Sequence, residues 1–88
     1  MKVEFRKRFL KDLEVVAHKN LRRRIKQTIE RVEQARSLHD VQCIKKLRGG
    51  EGYYRIRMGD YRLGLVLRAD TVIFVRFLHR KDVYRYFP

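Results

Sequence analysis

The sequence predicts an α+β domain, in which an antiparallel β-sheet of about four strands carries an N-terminal helical hairpin on one face. Apolar residues recur at helical spacing over the first third of the chain, whereas the alternation typical of strands dominates the last third. The order of these two patterns, helices before most of the strands, favours α+β over a βαβ arrangement. Eighty-eight residues with no repeat or linker indicate a single domain over 1–88.

The first strand and the two helices follow from a change of periodicity. Val3 and Phe5 alternate with charged residues, which is typical of a short strand. Apolar residues then recur at intervals of three and four positions, and this spacing predicts helices over 6–18 and 21–36. The stretch 37–52 ends in a run of glycines and is predicted to be a loop that enters the sheet.

The last third of the chain predicts an antiparallel meander. Its strands, rich in β-branched and aromatic residues, are expected near 53–58, 61–68 and 72–79. Gly59-Asp60 is a two-residue hairpin loop between the first two. For the next connection we expect a three-residue loop at 69–71, because a two-residue loop would bury Arg76 among leucines.

The hairpin loop also decides which side chains share a face of the sheet. Arg57 is expected opposite Arg62, and these like charges would repel unless an anion lay between them. The last strand is expected to point Ile73, Val75 and Phe77 into the core. The face without helices is predicted to be open and basic, with Tyr53, Arg55, Arg57, Arg62, Arg68, Arg76, Leu78 and Arg80 pointing outward.

The charge of the chain points to a polyanionic partner. Twenty-three Lys and Arg against ten Asp and Glu leave a formal net charge of +13. Nucleic acid is the first candidate, since neutralising phosphates releases counterions, and an acidic protein is the second. A single cysteine, Cys43, allows no internal disulfide, and no Cys/His spacing indicates a metal site. We find no targeting signal or membrane span and expect a cytoplasmic protein.

Four blocks in the second half of the chain carry a family resemblance. They are Lys46-Leu47-Arg48-Gly49, Tyr54-Arg55-Ile56-Arg57, Gly59-Asp60-Tyr61-Arg62-Leu63 and His79-Arg80-Lys81-Asp82-Val83-Tyr84. In order and spacing they resemble the RelE/ParE superfamily of toxins from bacterial type II toxin–antitoxin systems. The resemblance implies a twisted antiparallel sheet with two N-terminal helices. It also implies, for RelE-type members, cleavage of mRNA in the ribosomal A site without metal or cofactor, and an acidic antitoxin that masks the basic surface.

The resemblance implies catalytic roles for residues in the last two of these blocks. Arg62 and Arg80 match arginines that stabilise the transition state, and Tyr84 matches a C-terminal catalytic tyrosine. His79 is a further candidate acid or base, although the register that exposes Arg80 turns His79 inward. The identity of the general base stays open.

Substrate binding is expected from the rest of the basic face. Arg55 and Arg57 match residues that contact phosphate in the family, where lysines are more usual. Tyr53 is placed to stack on a nucleotide, and Arg76 adds a further outward charge. Two alternatives remain at this point: a ParE-type poison of DNA gyrase with no nuclease activity, and a nucleic-acid-binding module with no catalysis.

Overall fold

The computed structural model describes all of residues 1–88 and confirms the α+β class. In chain order the elements are β1 (Lys2–Phe5), α1 (Lys7–Glu14), α2 (Lys19–Gln34), a 3-10 turn (Leu38–Asp40), β2 (Ile44–Lys46), β3 (Tyr53–Met58), β4 (Tyr61–Arg68), β5 (Thr71–His79) and α3 (Val83–Tyr86). The strands form one sheet in the order β1-β5-β4-β3-β2. None of the helices is long and apolar enough to cross a membrane.

The sheet has five strands and is mixed, where about four antiparallel strands were expected. The additional strand is β2, which pairs antiparallel with β3 and places Ile44 opposite Ile56. With only three residues, β2 is too short to produce a visible alternation in the sequence. The other difference is β1, which runs parallel to β5 with Val3 beside Val72. Parallel pairing needs a long connection, and the whole of α1 to β4 separates these two strands.

The register of β3 and β4 is as predicted. Met58 pairs with Tyr61 and Arg57 pairs with Arg62 across the Gly59-Asp60 turn. Gly59 has a φ of 59°, so it supplies the left-handed backbone that a two-residue hairpin loop requires. One face of this hairpin therefore packs under the helices, and the other carries the arginines.

The first half of β5 differs from the prediction. Its connection to β4 is the two-residue turn Ala69-Asp70, so Val72 and Phe74 enter the main core in place of Ile73 and Val75. Ala69 occupies the left-handed region with a φ of 53°. Because glycine or asparagine usually marks such a position, the sequence carried no signal for the shorter turn.

A β-bulge restores the predicted orientation in the second half of β5. The register shifts at the Gly64/Leu65 step, where Leu65 pairs with Phe74 but Gly64 pairs with Arg76. The extra residue reverses the alternation, so Phe77 points into the core as predicted while Arg76 stays out of it. The longer loop was predicted because a two-residue loop would have buried Arg76 among leucines. The bulge keeps Arg76 out of the core, so the shorter turn is possible.

The main core lies between the helical hairpin and one face of the sheet. Ile25 and Val32 of α2 and Phe9 of α1 are its buried helical members. Phe9 packs against Phe74, with ring centroids 5.6 Å apart. The helix α1 is shorter than predicted, because it ends at Glu14, whereas α2 has the predicted length but begins and ends two residues earlier.

The second face of the sheet is partly covered, where an open face was expected. The C-terminal segment folds back across it, and Val83 and Phe87 are almost fully buried there together with Leu47. The Phe87 ring lies directly over Gly64, where a Cβ atom would come within 2.8 Å of it. Gly64 thus gives Phe87 room to lie flat on the sheet. The arginines of this face are consequently divided into separate groups by the C-terminal segment.

Candidate functional site

Arg57 and Arg62 face each other across β3 and β4 with no carboxylate between them. They are a directly opposed pair in the ladder, and neither is within ion-pair distance of an acidic side chain. Arg62 is half-buried, and its Nη1 donates to the carbonyl oxygens of Gly59 and Tyr61, at 2.8 Å each. These bonds hold the Arg62 guanidinium at the β3–β4 turn. Because no acidic side chain lies between the two arginines, nothing within the chain offsets their repulsion.

Arg80 approaches the same turn from the end of β5. Its backbone N–H donates to the carbonyl oxygen of Asp60 at 2.8 Å, and its Nε lies 3.8 Å from Asp60 Oδ1. Both side chains of this ion pair are at least 60% exposed, so the pair holds Arg80 only weakly. We call Arg57, Arg62 and Arg80 the turn cluster. Its planar, permanently charged guanidinium groups suit phosphate oxygens.

Arg55 lies towards the middle of the sheet and is half-buried. Its Nη1 donates to the carbonyl oxygen of Cys43 at 3.0 Å, but its Nε is buried without any hydrogen-bond partner. A buried N–H with no acceptor costs about 1 to 3 kcal/mol. A ligand oxygen can accept from this Nε only if the Arg55 side chain moves, because the atom is buried.

Tyr53 and Arg76 are already engaged by other residues. The Tyr53 ring meets Phe87 edge-on at 5.6 Å, and the Arg68 guanidinium lies 5.4 Å from its centroid. Arg76 forms a two-point ion pair with Asp12, at 2.8 Å from Nε and 3.2 Å from Nη2, and its guanidinium lies near the ring of Tyr86. Both side chains therefore have structural roles in the free chain.

His79 points away from the turn cluster, as strand parity predicted. It is opposite Tyr61, and the two rings meet edge-on at 5.4 Å on the helix-covered side. Its Nδ1 accepts a hydrogen bond from the backbone N–H of Lys81 at 3.2 Å. The residue opposite Arg62 is Leu78, so the sheet itself separates His79 from that arginine.

Tyr84 lies on the exposed side of α3, with 63% of its surface accessible. It makes none of the side-chain hydrogen bonds of the chain, so its phenol is free to meet a ligand. Its position depends on Val83 and Phe87, which anchor the short helix on the sheet. The helix α3 begins three residues after Arg80, the last member of the turn cluster along the chain.

Three residues that shape this region were not singled out from the sequence. Asp12 accepts from Arg76 and also from the backbone N–H of Phe77 at 2.9 Å. Gly64 and Phe87 dock the C-terminal segment. A glycine inside an otherwise apolar strand is a known sign of close approach, so Gly64 could have been found; nothing local distinguishes Asp12.

The chemistry available here is charge stabilisation and proton transfer. The structure has no group of three or more His, Cys, Asp or Glu side chains that could hold a metal ion. The turn cluster can bind and polarise an anionic group, and Tyr84 has an ionisable proton.

Comparison with known proteins decides the family. The profile described as ParE toxin of type II toxin-antitoxin system, parDE, matches residues 3–84. The chain belongs to the RelE/ParE toxin superfamily. A curated relative, Toxin RelE3 of Methanocaldococcus jannaschii, is 51% identical over 89 aligned positions, which cover 100% of both chains. A second relative, the putative toxin RelE1 of the same organism, is 35% identical, and the match covers 91% of this chain and 89% of that protein.

Solved RelE/ParE structures have the same fold. The RelB-RelE antitoxin-toxin complex from Methanococcus jannaschii contains a chain that superposes with a TM-score of 0.82 at 47% identity, covering 97% of this chain and 99% of that one. For the archaeal RelE-RelB complex from Pyrococcus horikoshii the TM-score is 0.75 at 22% identity, covering 93% and 97%. The second likeness shows the fold alone.

Proposed function

We propose that this toxin is a metal-independent endoribonuclease that cleaves mRNA, in association with the ribosomal A site, by attack of a ribose 2′-hydroxyl on the adjacent phosphorus. The observation that carries the proposal is the opposition of Arg57 and Arg62, with Arg80 beside them and only the exposed Asp60 nearby. A phosphodiester is the ligand that would relieve this repulsion. The resemblance to RelE-type toxins supports the same reaction class.

The reaction requires three contributions: a base that takes the proton of the 2′-hydroxyl, positive charge beside the oxygens on phosphorus, and an acid that protonates the leaving 5′-oxygen. The turn cluster supplies the second of these, and no residue is assigned as the base. As the 2′-oxygen bonds to phosphorus, negative charge grows on the non-bridging oxygens, and Arg62 and Arg80 stabilise it. Arg55 and Arg57 hold the neighbouring backbone through their guanidinium groups. The bond from phosphorus to the 5′-oxygen then breaks, which leaves a cyclic phosphate on one product and a 5′-hydroxyl on the other.

Proton transfer is assigned first to Tyr84. Its exposed phenol lies on α3, four residues after Arg80, whereas His79 faces the helix-covered side. Tyr84 is therefore the candidate to protonate the leaving 5′-oxygen. Tyr53 and Arg76 reach the substrate only if it displaces their present contacts with Phe87 and Asp12.

An acidic antitoxin is the expected protein partner. Two of the similar structures are complexes of RelE with RelB, and the basic face of this chain has few acidic residues of its own. We propose that a cognate antitoxin covers the turn cluster and so competes with RNA for the same charges.

The deciding experiment is to induce the wild-type chain and the variant Arg62→Ala/Arg80→Ala in cells, and to map new RNA 5′ ends. We expect new 5′-hydroxyl ends inside translated regions with the wild type. Removing one well-placed donor lowers a rate by about 100- to 1,000-fold, so the double variant should produce almost none.

The control is Lys19→Ala/Arg23→Ala, which removes the same charge from exposed positions of α2. It should cleave like the wild type. Equal cleavage by the Arg62→Ala/Arg80→Ala variant would overturn the assignment of these arginines.

The second candidate function is poisoning of DNA gyrase, because the matching family profile is that of ParE. The same induction separates the two functions. Growth arrest with intact mRNA and broken DNA would favour the gyrase poison, and binding of nucleic acid with neither effect would favour a non-catalytic module.

A further inference from the structure

A second basic site lies between α2, the C-terminal end of β3 and the residues just before β2. The cavity at this place has a volume of about 240 Å³ and is lined by the arginines Arg24, Arg31 and Arg57. The remaining polar lining includes Thr28 and the exposed thiol of Cys43, and no carboxylate lines the cavity. We call it the α2 cavity. It combines three positive charges with no internal counter-charge.

Helical spacing explains why α2 directs these residues to one place. Arg24, Thr28 and Arg31 are four and three residues apart, so they lie along one face of the helix. Thr28 is buried, and its hydroxyl donates to the carbonyl oxygen of Arg24 at 2.8 Å, which leaves the hydroxyl oxygen as part of the cavity wall. Neither arginine of α2 has an acidic partner within 4 Å. Their charges are therefore available to a ligand.

The α2 cavity is continuous with the turn cluster. Arg24 Nη1 lies 3.8 Å from the point that a Cβ atom on Gly59 would occupy, and Arg62 Nη1 donates to the carbonyl oxygen of Gly59 from the other face. Arg57 lines the cavity and is also paired with Arg62. The β3–β4 turn thus has guanidinium groups on both sides, and the positive surface passes around the edge of the sheet.

We propose that the α2 cavity is a phosphate subsite for the nucleic-acid backbone, where Arg24 and Arg31 hold a phosphate of the strand whose neighbouring phosphodiester lies at the turn cluster. The proposal rests on the proposed function, since it extends the path of the same RNA strand. The subsite fixes the path of the strand on one side of the scissile bond, because that side must continue around the β3–β4 turn to α2. Phosphate contacts of this kind position a strand and do not read its sequence.

Cys43 provides a direct test of occupancy, because the only cysteine of the chain lies in the cavity wall. The rate of its alkylation by a maleimide is measured with and without a short single-stranded oligonucleotide that has no 2′-hydroxyls and so cannot be cleaved. We expect the oligonucleotide to slow alkylation several-fold at constant ionic strength. The variant Arg24→Gln/Arg31→Gln should lose this protection and bind the oligonucleotide about tenfold more weakly, with a lower salt dependence.

The matched control is Arg23→Gln/Lys26→Gln, which removes two exposed charges of the same helix that do not line the cavity. It should retain protection of Cys43. Equal loss of affinity in both double variants would overturn the subsite, because only the net charge would then matter. Full protection of Cys43 by inorganic phosphate alone, with no further effect of the oligonucleotide, would overturn the assignment to a nucleic-acid backbone.

Failure of this inference and failure of the proposed function give different results. If the wild type cleaves RNA but the oligonucleotide leaves Cys43 alkylation unchanged, the subsite is wrong and the nuclease stands. If Cys43 is protected in a manner that depends on Arg24 and Arg31 while no RNA is cleaved, the subsite stands and the nuclease is wrong.

Discussion

Asp12 shows how one residue determines which arginines are available for binding. Its carboxylate accepts from both Nε and Nη2 of Arg76 and from the backbone N–H of Phe77. The two charged side chains are only 12% and 13% exposed. The half-buried pair fixes α1 beside β5 and neutralises Arg76, whereas the arginines of the turn cluster have no comparable partner.

Removing Asp12 should therefore destabilise the chain strongly, because its side chain is only 12% exposed and is paired with Arg76. Asp12→Ala leaves Arg76 half-buried without a counter-charge, and we expect it to lower the free energy of unfolding by about 3 kcal/mol. Asp12→Asn should cost less, because its amide oxygen still accepts from Phe77. Urea unfolding measures both effects.

Glu14→Ala, on the exposed side of the same helix, is the control and should change the free energy of unfolding by no more than about 0.5 kcal/mol. Equal denaturation midpoints for Asp12→Ala and Glu14→Ala would show that the ion pair contributes nothing. A double-mutant cycle with Arg76→Met would isolate the coupling between the two charges.

At the scale of elements, α3 owes its position to a contact between a strand glycine and a C-terminal ring. Four residues are too few for a stable isolated helix, so tertiary packing must hold α3 in place. Val83 and Phe87 provide that packing, and Gly64 provides the space for the ring. The position of Tyr84 thus depends on Gly64, which lies twenty positions earlier in the chain.

Gly64→Ala is expected to dislodge α3. The new methyl group would lie 2.8 Å from the Phe87 ring, and overpacking of this kind costs about 1 to 3 kcal/mol. Combining it with Phe87→Leu should cost less than the sum of the two single changes, because the smaller side chain leaves room for the methyl group. Urea unfolding gives the energies, and proteolysis of the C-terminal segment reports whether α3 is docked. If the losses of unfolding free energy caused by Gly64→Ala and Phe87→Leu are strictly additive, the contact between Gly64 and Phe87 is contradicted.

The elements that could be predicted are those fixed by local signals. The residues Gly59-Asp60 predicted a two-residue turn, and the turn determines the register of β3 and β4. Predictions failed where distant parts of the chain decide the outcome: the pairing of β1 with β5 is non-local, and the bulge beside Gly64 reverses an alternation that the sequence cannot show.

The candidate site was predictable to a similar extent. The sequence predicted that Arg57, Arg62 and Arg80 would lie on one side of the sheet, and in the structure all three lie around one turn. The alternation of side chains along the last strand correctly predicted that His79 points to the helix-covered side. The pairing of Arg76 with Asp12 depends on the packing of α1 against β5, which no local pattern specifies.

At the scale of the whole molecule, more than half of the positive charge is uncompensated. The chain has 23 Lys and Arg and a net charge of +13. Only two ion pairs lie within 4 Å, and one of them is largely exposed. Such a surface attracts polyanions at long range, and it also repels itself and so opposes the compact state. Partners that supply negative charge should therefore stabilise the fold while they bind.

This self-repulsion predicts that added salt stabilises the free toxin. Raising NaCl from low concentration to about 0.15 M shortens the Debye length to about 8 Å and screens repulsion between distant charges. We expect the free energy of unfolding, measured with uncharged urea, to rise by about 1 kcal/mol. A variant with Lys19, Arg23 and Lys26 each changed to Gln should show a smaller rise, because it begins with less repulsion. Loss of stability on adding salt would instead mean that attractive pairs such as Asp12–Arg76 dominate the electrostatics of the fold.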